Sequence, residues 1–371
     1  MPTETIRARD LGIVIGDLPP GPANAITDVP AVRVGHTTLI SGDGPLRVGE
    51  GPIRTGVTVI VPGADDPWEQ PAFAGAHRLN GNGELTGLEW IRESGLLTTN
   101  IGLTNTHSVG VVRDALIAAA TAALPPGEMR WYLPVVGETF DGDLNDINGQ
   151  HVRPEHVHAA LAAASGGAVA EGGVGSGTGM ICHGFKGGIG TSSRVVEGHT
   201  VGVLVQANHG ARARLTVAGV PVGRAIDADE VPDPRGGPRD GRGSIIVIIA
   251  TDAPLLPGQC TRLAHRAALG VGRTGGAGEN GSGDLMLAFA TGNRDLRALA
   301  DDGVASDPVA LRAVPAAALD GLFYAVVEAT EEAIVNALVA GRTLTGRDGE
   351  TAHGIPHDRL AALVAGAPKG V

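Results

Sequence analysis

Apolar residues are grouped along this chain in short runs that are typical of β-strands. The run VTVIV within residues 56–61 is rich in β-branched residues, which favour strands. The run SIIVIIATDAP, which begins at Ser244, is apolar at successive positions and therefore indicates a strand buried on both faces. The other predicted strands are residues 32–40, 132–136, 200–208 and 285–290.

Other segments carry apolar residues at the spacing of an α-helix. The strongest pattern, SVGVVRDALIAAATAAL, lies within residues 105–123 and has Ser108 as an available N-cap. Strands and helices alternate along the chain, which predicts an α/β or α+β layered fold. The other predicted helices are residues 85–94, 156–164, 256–270 and 322–340.

A change of composition divides the chain near two thirds of its length. Residues 218–243 are rich in proline, glycine and charge and nearly free of large apolar side chains, so they are predicted to form an exposed linker. This linker stops abruptly at the buried strand that begins with Ser244.

Composition narrows the classes of function. The 371 residues include 40 acidic against 28 basic side chains, a net charge of −12, which argues against nucleic-acid and anionic-membrane partners. The longest apolar run is far too short to span a bilayer, and no secretory signal is visible, so we expect a cytoplasmic protein. Two cysteines, Cys182 and Cys260, do not make a disulfide framework and are expected to be reduced and buried.

Several common functional motifs are excluded. The histidines at 151, 156 and 158 lie beside Arg153 and Pro154 and indicate a solvated helix start rather than a metal site. The glycine-rich residues 172–179 lack the G-K-[ST] ending of a P-loop. Residues 106–110 miss the first glycine of a nucleophile elbow.

The junction Gly243-Ser244 offers a different chemistry. Glycine permits a strained peptide conformation, and the serine hydroxyl is placed to attack the carbonyl that precedes it. Cleavage there would leave Ser244 with a free α-amine, whose ordinary pKa of about 7.7–8.0 suits a general base for its own hydroxyl. A Gly-Ser pair alone is far more typical of a simple turn before a strand.

The sequence around this junction resembles a known family. The segment from GSIIVIIATDAP to NGSGDLMLAFATGN is similar to the start of the small chain in the DmpA/BapA family of self-processing serine aminopeptidases. Other blocks resemble the family in the same order, among them GNGELTGLEWIRESG, TNTHSVGVVRDAL, LPVVGETFDGDLNDI, GTGMICHGFKGGIGTSSR and VGVLVQANHG. Together these blocks cover most of the chain outside the linker.

The resemblance implies an architecture and an assembly. The expected fold is α/β, a four-layer αββα sandwich of the N-terminal-nucleophile-like DmpA type. Residues 1–243, which end in the linker 218–243, would form the large chain, residues 244–371 the small chain, and both together one catalytic domain. The family also implies a homotetramer of such α/β pairs that needs no metal and no organic cofactor.

The resemblance further implies how the peptide bond is attacked. Ser244 would be the nucleophile, freed by cleavage after Gly243. Ser282 and Asp284, in the block NGSGD, match the serine and acid pair that supports it.

Three other positions match residues that would meet the substrate. Asn208 matches the side chain that stabilises the oxyanion, and Glu138 matches the carboxylate that receives the free amine of the substrate. Phe140 departs from the family, whose block has a catalytic tyrosine here, so the ring is kept and the hydroxyl is lost.

The sequence therefore predicts a self-cleaving serine aminopeptidase that releases N-terminal residues from short peptides, amides or esters through an acyl-enzyme on Ser244. Two alternatives remain open. One is an amidase of the same fold that acts on other small amides, such as ω-amino-acid oligomers. The other is an uncleaved, non-catalytic relative.

Overall fold

The computed structural model describes residues 5–63, 65–234, 243–300 and 307–367, and two β-sheets dominate this part of the chain. The four-stranded sheet has the order β1-β2-β5-β6 and the six-stranded sheet the order β4-β3-β12-β11-β10-β9. Their strands are β1 Arg33–Ser41, β2 Ile53–Val61, β3 Ala72–Gly81, β4 Leu96–Leu97, β5 Ile101–Asn105, β6 Val135–Thr139, β9 Gly188–Val196, β10 His199–Asn208, β11 Ser244–Thr251 and β12 Gly283–Ala290. Two short hairpins add β7 Ile181–Cys182 with β8 Phe185–Lys186, and β13 Leu344–Thr345 with β14 Thr351–Ala352.

Helices cover the outer face of each sheet. Helices α2 and α3 pack on the four-stranded sheet, where Val112 and Val157 meet Val57 and Val59 of β2. Helices α5 and α7 pack on the six-stranded sheet. The helices are α1 Leu88–Ser94, α2 Val109–Ala122, α3 Pro154–Ala162, α4 Val222–Ala225, α5 Pro257–Arg273, α6 Arg297–Ala300, α7 Leu319–Val339 and α8 His357–Ala365.

The two sheets face each other across an apolar core, which completes a four-layer αββα sandwich. Ile246 and Ile248 of β11 point between the sheets and meet Ile101 and Leu103 of β5. The alternate residues of β11, among them Val247, point to the opposite side, toward α5 and α7. A strand with apolar neighbours on both faces has no solvated side. The predictions of a doubly buried strand at 244 and of the αββα fold are therefore confirmed.

The predicted helices are present, with ends shifted by a few residues. Ser108 stands at the N-cap position of α2, but its hydroxyl makes no capping hydrogen bond. Both cysteines are buried and neither is in a disulfide, as expected. Within the described ranges no helix is long and apolar enough to cross a membrane.

Three of the longer strands, β3, β5 and β9, are missing from the sequence-based prediction, as are the two-residue strands. Strand β9 has the sequence GIGTSSRVV, whose small and polar residues show no apolar alternation. Its polar side chains are buried because partners satisfy them: Ser192 donates to the carbonyl of Ala329, and the guanidinium of Arg194 is bound by Glu328 and Glu332. A local hydropathy pattern does not report tertiary contacts of this kind, so it does not predict this strand.

The segment predicted as an exposed linker differs from that prediction over its first part. Residues 222–225 form α4, and the side chains of Val222, Ile226 and Val231 are buried in the core beside α8. Three isolated apolar residues among prolines and charges are enough to anchor the segment. Residues 235–242 of the predicted linker lie outside the described residues.

Candidate active site

The predicted nucleophile lies at one end of the six-stranded sheet. Ser244 is the first residue of β11, and the antiparallel register with β10 places it opposite Asn208, the last residue of β10. Its side chain is buried, with 6% exposure of the residue, and its Oγ accepts a hydrogen bond of 3.0 Å from the backbone N–H of Gly283.

Gly243 has a backbone conformation that requires glycine. Its φ is +111°, and a Cβ at this position would lie 1.7 Å from the carbonyl oxygen of Asn208. A side chain is therefore excluded both by the dihedral angle and by the close approach of β10. The same close approach holds the Gly243–Ser244 peptide against the residue that was predicted to stabilise the oxyanion.

Ser282 and Asp284 lie beside the nucleophile because β12 runs parallel to β11 and begins at the same end. The Oγ of Ser282 is 2.7 Å from Oδ2 of Asp284 and 2.8 Å from the carbonyl oxygen of Glu279. The hydrogen bond from this segment to the Ser244 hydroxyl comes from the backbone. Its donor is the N–H of Gly283, which lies between Ser282 and Asp284 in the chain.

Burial shifts the titration of Asp284. Loss of solvent around the carboxyl raises its pKa to about 6, with a further rise from the nearby charge of Glu279, while the hydrogen bond from Ser282 opposes the shift. Asp284 is therefore ionised above about pH 6, and in that state it accepts the hydroxyl proton of Ser282.

Asn208 is held from two sides. Its Oδ1 accepts a hydrogen bond of 2.8 Å from the N–H of Ile181, and its Nδ2 donates one of 2.8 Å to the carbonyl of Phe140. The first contact fixes which end of the amide faces the hairpin of β7 and β8. The amide nitrogen is thereby turned toward the loop that follows β6.

Glu138 reaches the same region from the other sheet. It lies in β6 with only 3% exposure, Thr106 donates a short hydrogen bond to its Oε2, and the N–H of Glu84 donates to its Oε1 at 2.9 Å. Burial raises the pKa of this carboxyl, and the two hydrogen bonds counteract the rise because they favour the charged form. A buried carboxylate with donors on both oxygens is well suited to receive an ammonium group.

One cavity joins these groups. It has a volume of about 640 Å³ and opens between the ends of the two sheets. Phe140, at the position where the resemblance implies a tyrosine, is 44% exposed and lines the cavity. The lining residues are Asn82, Gly83, Glu84, Thr106, Glu138, Phe140, Asp143, Asn208, Gly243, Ser244 and Gly281.

The structure also shows site residues that the sequence analysis did not single out. Thr106 and Glu84 orient the Glu138 carboxylate, and Nδ2 of Asn80 donates 2.6 Å hydrogen bonds to the carbonyls of Glu279 and Ser282. All three lie in or beside the blocks GNGELTGLEWIRESG and TNTHSVGVVRDAL, so the resemblance pointed to the segments without assigning roles to these residues.

The histidine cluster at 151–158 has structural partners. His151 is 2.8 Å from Asp146, and Nδ1 of His156 accepts the N–H of Arg153 at the start of α3. His158 is exposed. The prediction of a helix start at this position is confirmed.

Comparisons with known proteins agree on one family. Residues 24–352 match the description "Peptidase family S58". The chain is 49% identical to "Beta-peptidyl aminopeptidase BapA" from Sphingosinicella microcystinivorans, over 96% of this chain and 91% of the relative.

Solved structures give the same result. A β-aminopeptidase from Burkholderia sp. superposes with a TM-score of 0.90 at 55% identity and covers 98% of this chain and 100% of its own. The L-aminopeptidase D-Ala-esterase/amidase from Ochrobactrum anthropi, described as a prototype of the serine aminopeptidases and a new variant of the Ntn hydrolase fold, has a TM-score of 0.87 at 42% identity. That match covers 97% of this chain and 98% of the other.

Proposed function

Because the chain belongs to peptidase family S58, we propose that it is a serine aminopeptidase that cleaves itself between Gly243 and Ser244. The new N-terminal serine then releases N-terminal β-amino acid residues from short peptides. One observation supports this proposal above all others. Ser244 and Glu138, from two different sheets, line the same cavity.

Self-cleavage begins with an N-to-O acyl shift. The Oγ of Ser244 attacks the carbonyl carbon of Gly243, the peptide C–N bond breaks, and the Ser244 nitrogen takes up the proton lost by the hydroxyl. Water then hydrolyses the resulting ester, which leaves a carboxylate on Gly243 and a free α-amine on Ser244. The positive φ of Gly243 and its contact with β10 hold this peptide in a conformation that ordinary residues avoid.

Turnover uses the same hydroxyl. The Ser244 amine accepts the hydroxyl proton while Oγ attacks the substrate carbonyl, and the amine returns that proton to the leaving nitrogen. Asn208 lies beside Ser244 with its amide held in place, so it is positioned to stabilise the negative oxygen of the tetrahedral intermediate. Water releases the acyl group and restores the enzyme.

Glu138 would select the substrate by its free amine. Its carboxylate and the Ser244 hydroxyl are fixed on separate sheets, so the distance between ammonium and reacting carbonyl is set by the fold. A β-residue places its amine about 1.5 Å farther from the carbonyl than an α-residue does. The names of the relatives from Sphingosinicella and Burkholderia support the β spacing for this chain.

A pair of substrates tests this proposal. We expect kcat/KM for β-homoalanyl p-nitroanilide to exceed that for L-alanyl p-nitroanilide by more than about tenfold, because only one spacing satisfies both anchors. Equal rates would contradict the β preference, and faster cleavage of amides without a free amine would favour the general amidase. A purified chain that keeps its full mass and turns over neither substrate would favour the non-catalytic relative.

Asp284 gives the proposal a pH dependence. We expect the rate of self-cleavage to rise with pH around a midpoint of about 6, because the ionised carboxylate is the form that accepts the hydrogen bond from Ser282 and holds it beside Ser244. To measure this rate, the precursor is produced by a short pulse of cell-free translation and transferred to buffers between pH 5 and 8. The fraction of cleaved chain is then followed over time.

Two variants make that measurement specific. Asp284→Asn should cleave slowly and without this midpoint. Glu279→Gln should still show one pH midpoint, but at a lower pH than wild type, since the Glu279 charge raises the pKa of Asp284. A midpoint that survives in Asp284→Asn would assign the titration to another group.

We further propose that the enzyme acts in the cytoplasm as a homotetramer of cleaved α/β pairs, with residues 1–243 and 244–371 as its two chains. The family resemblance supports this assembly. Light scattering coupled to size-exclusion chromatography measures the mass directly.

A further inference from the structure

We propose that Cys182, His183 and His209 form a binding site for one thiophilic divalent cation, Zn²⁺, directly behind Asn208. The three side chains are buried, and the ligand atoms that they offer lie within 4.8 Å of one another. Three protein ligands leave the fourth position of a tetrahedral zinc to a water molecule, and the proposed peptidase chemistry does not use the site. Zinc favours this combination of one thiolate with imidazole nitrogens.

The distances are close to those of a metal site. Sγ of Cys182 is 3.9 Å from Nδ1 of His209. A tetrahedral Zn²⁺, with bonds of about 2.3 Å to sulfur and about 2.0 Å to nitrogen, holds such atoms about 3.6 Å apart. The three ligand atoms lie within 4.8 Å of one another, so side-chain rotations have to close a remaining gap of about 1 Å. On binding, the metal replaces the thiol proton of Cys182, which is released to solvent.

A hydrogen bond orients the imidazole of His183. Its Nδ1 is 3.0 Å from the carbonyl oxygen of Ala211, and since a carbonyl only accepts, Nδ1 carries the proton. Nε2 then presents its lone pair, which is the form that binds a metal. Donation of the other ring N–H to a backbone carbonyl is the usual outer support of a metal-bound histidine.

The backbone is shaped around both imidazoles. His183 and Gly184 form the two-residue turn between β7 and β8, with φ values of +49° and +71°, and such a turn ordinarily favours Asn-Gly. Gly210 leaves room for the His183 ring, since a Cβ there would lie 2.2 Å from its Cε1. A Cβ at Gly276 would likewise lie 3.0 Å from Cδ2 of His209. A histidine with a positive φ, whose ring packs against a glycine, has an unfavourable backbone conformation. A role as a metal ligand explains why histidine occupies this turn.

The surrounding charges are compatible with a cation. Arg212 donates to the carbonyls of His183 and Gly184, but its charge is opposed by Asp227 and Asp233. The thiolate of Cys182 would cancel one of the two charges of the metal. The site would therefore add a single net charge beside the buried ammonium of Lys186, which interacts with Cys182 and is bound by three backbone carbonyls.

The location links the proposed site to the oxyanion residue. The N–H of Ile181, next to Cys182, binds Oδ1 of Asn208, and His209 follows Asn208 in the chain. A metal that joins Cys182 to His209 would thus clamp both ends of the segment that orients the Asn208 amide.

The experiment is zinc binding by tag-free, chelator-stripped protein, measured by calorimetry and by metal analysis after dialysis. We expect one Zn²⁺ per chain and a melting temperature that rises with the logarithm of the zinc concentration. With Co²⁺ as the probe, we expect a thiolate-to-cobalt charge-transfer band in the near ultraviolet.

Matched variants identify the ligands. Cys182→Ala should abolish the cobalt band, whereas Cys260→Ala, the other buried thiol, should retain it. His183→Asn keeps a residue suited to the left-handed turn and should weaken zinc binding more than about 100-fold, since even outer-sphere partners are worth 10- to 100-fold. His265→Gln controls for a second histidine pair, the half-buried His77 and the exposed His265, whose rings are 4.4 Å apart.

Circular dichroism verifies that each variant is folded. Failure of the folded wild-type protein to bind one zinc at tens of micromolar metal would overturn the proposal. Unchanged binding by His183→Asn, or loss of binding in His265→Gln, would do the same. None of these readouts depends on peptidase activity, so this proposal can fail while the proposed function stands.

Discussion

Replacing Ser244 by alanine is expected to leave the protein as one full-length chain and to reduce peptidase activity by at least about 10⁴-fold, the scale seen when a serine nucleophile is removed. The hydroxyl oxygen is the atom that attacks both the Gly243 carbonyl and the substrate. Alanine removes this atom and the acceptor that it offers to the Gly283 N–H, while the backbone of β11 still pairs with β10 and β12. Intact mass and turnover of an aminoacyl p-nitroanilide measure the two losses.

Two further variants serve as controls for Ser244→Ala. Ser192→Ala removes a buried hydroxyl that only donates to the carbonyl of Ala329, and it should cleave and turn over like wild type. Ser244→Cys keeps a nucleophile and should cleave slowly. If Ser244→Ala were processed, or if the small fragment of the wild-type chain began at another residue, the assignment of the nucleophile would be wrong.

Replacing Glu138 by glutamine is expected to lower kcat/KM for free-amine substrates by roughly 30- to 1,000-fold, which corresponds to about 2–4 kcal/mol for a buried ion pair that loses one charge. Glutamine keeps the size of the side chain and the acceptor oxygen for Thr106 or Glu84, so the loss reports the charge. We expect most of it in KM, with a smaller loss in kcat where the amine helps to orient the carbonyl.

Self-cleavage provides the internal control for this variant. The precursor has no substrate amine to bind, so Glu138→Gln should still divide into two chains at the wild-type position. N-acetylation of the substrate should mimic the mutation in the wild-type enzyme. Equal turnover of free and acetylated substrates by the wild-type enzyme would refute the role of Glu138.

The fold was largely predictable where local pattern and burial agree. The apolar run from Ser244 and the periodic helix at 105–123 correspond to β11 and α2. Strand β9 was missed because its polar side chains are buried by distant partners, Arg194 by Glu332 and Ser192 by the α7 backbone. A hydropathy pattern reports the side chain alone and carries no information about such partners.

The candidate site was likewise predictable only in part. The sequence analysis could assign roles to residues that lie within blocks resembling the family, because the position of a residue within a block can be read directly from the sequence. These residues are Gly243, Ser244, Ser282, Asp284, Asn208 and Glu138. The contacts of Thr106 and Glu84 with Glu138 were not visible, since they arise where two separate chain segments meet the end of strand β6.

Sequence by itself therefore determined the family, the layered fold and the identity of the proposed nucleophile, because these depend on order and composition along the chain. Only the tertiary structure decided which groups share a cavity. Glu138 and Ser244 face each other because two sheets stack, and Cys182 meets His209, 27 residues away, because β7 folds back onto the end of β10. The physical reason is that hydrogen bonds and metal coordination act over a few ångströms in space, whereas a sequence records only distance along the chain.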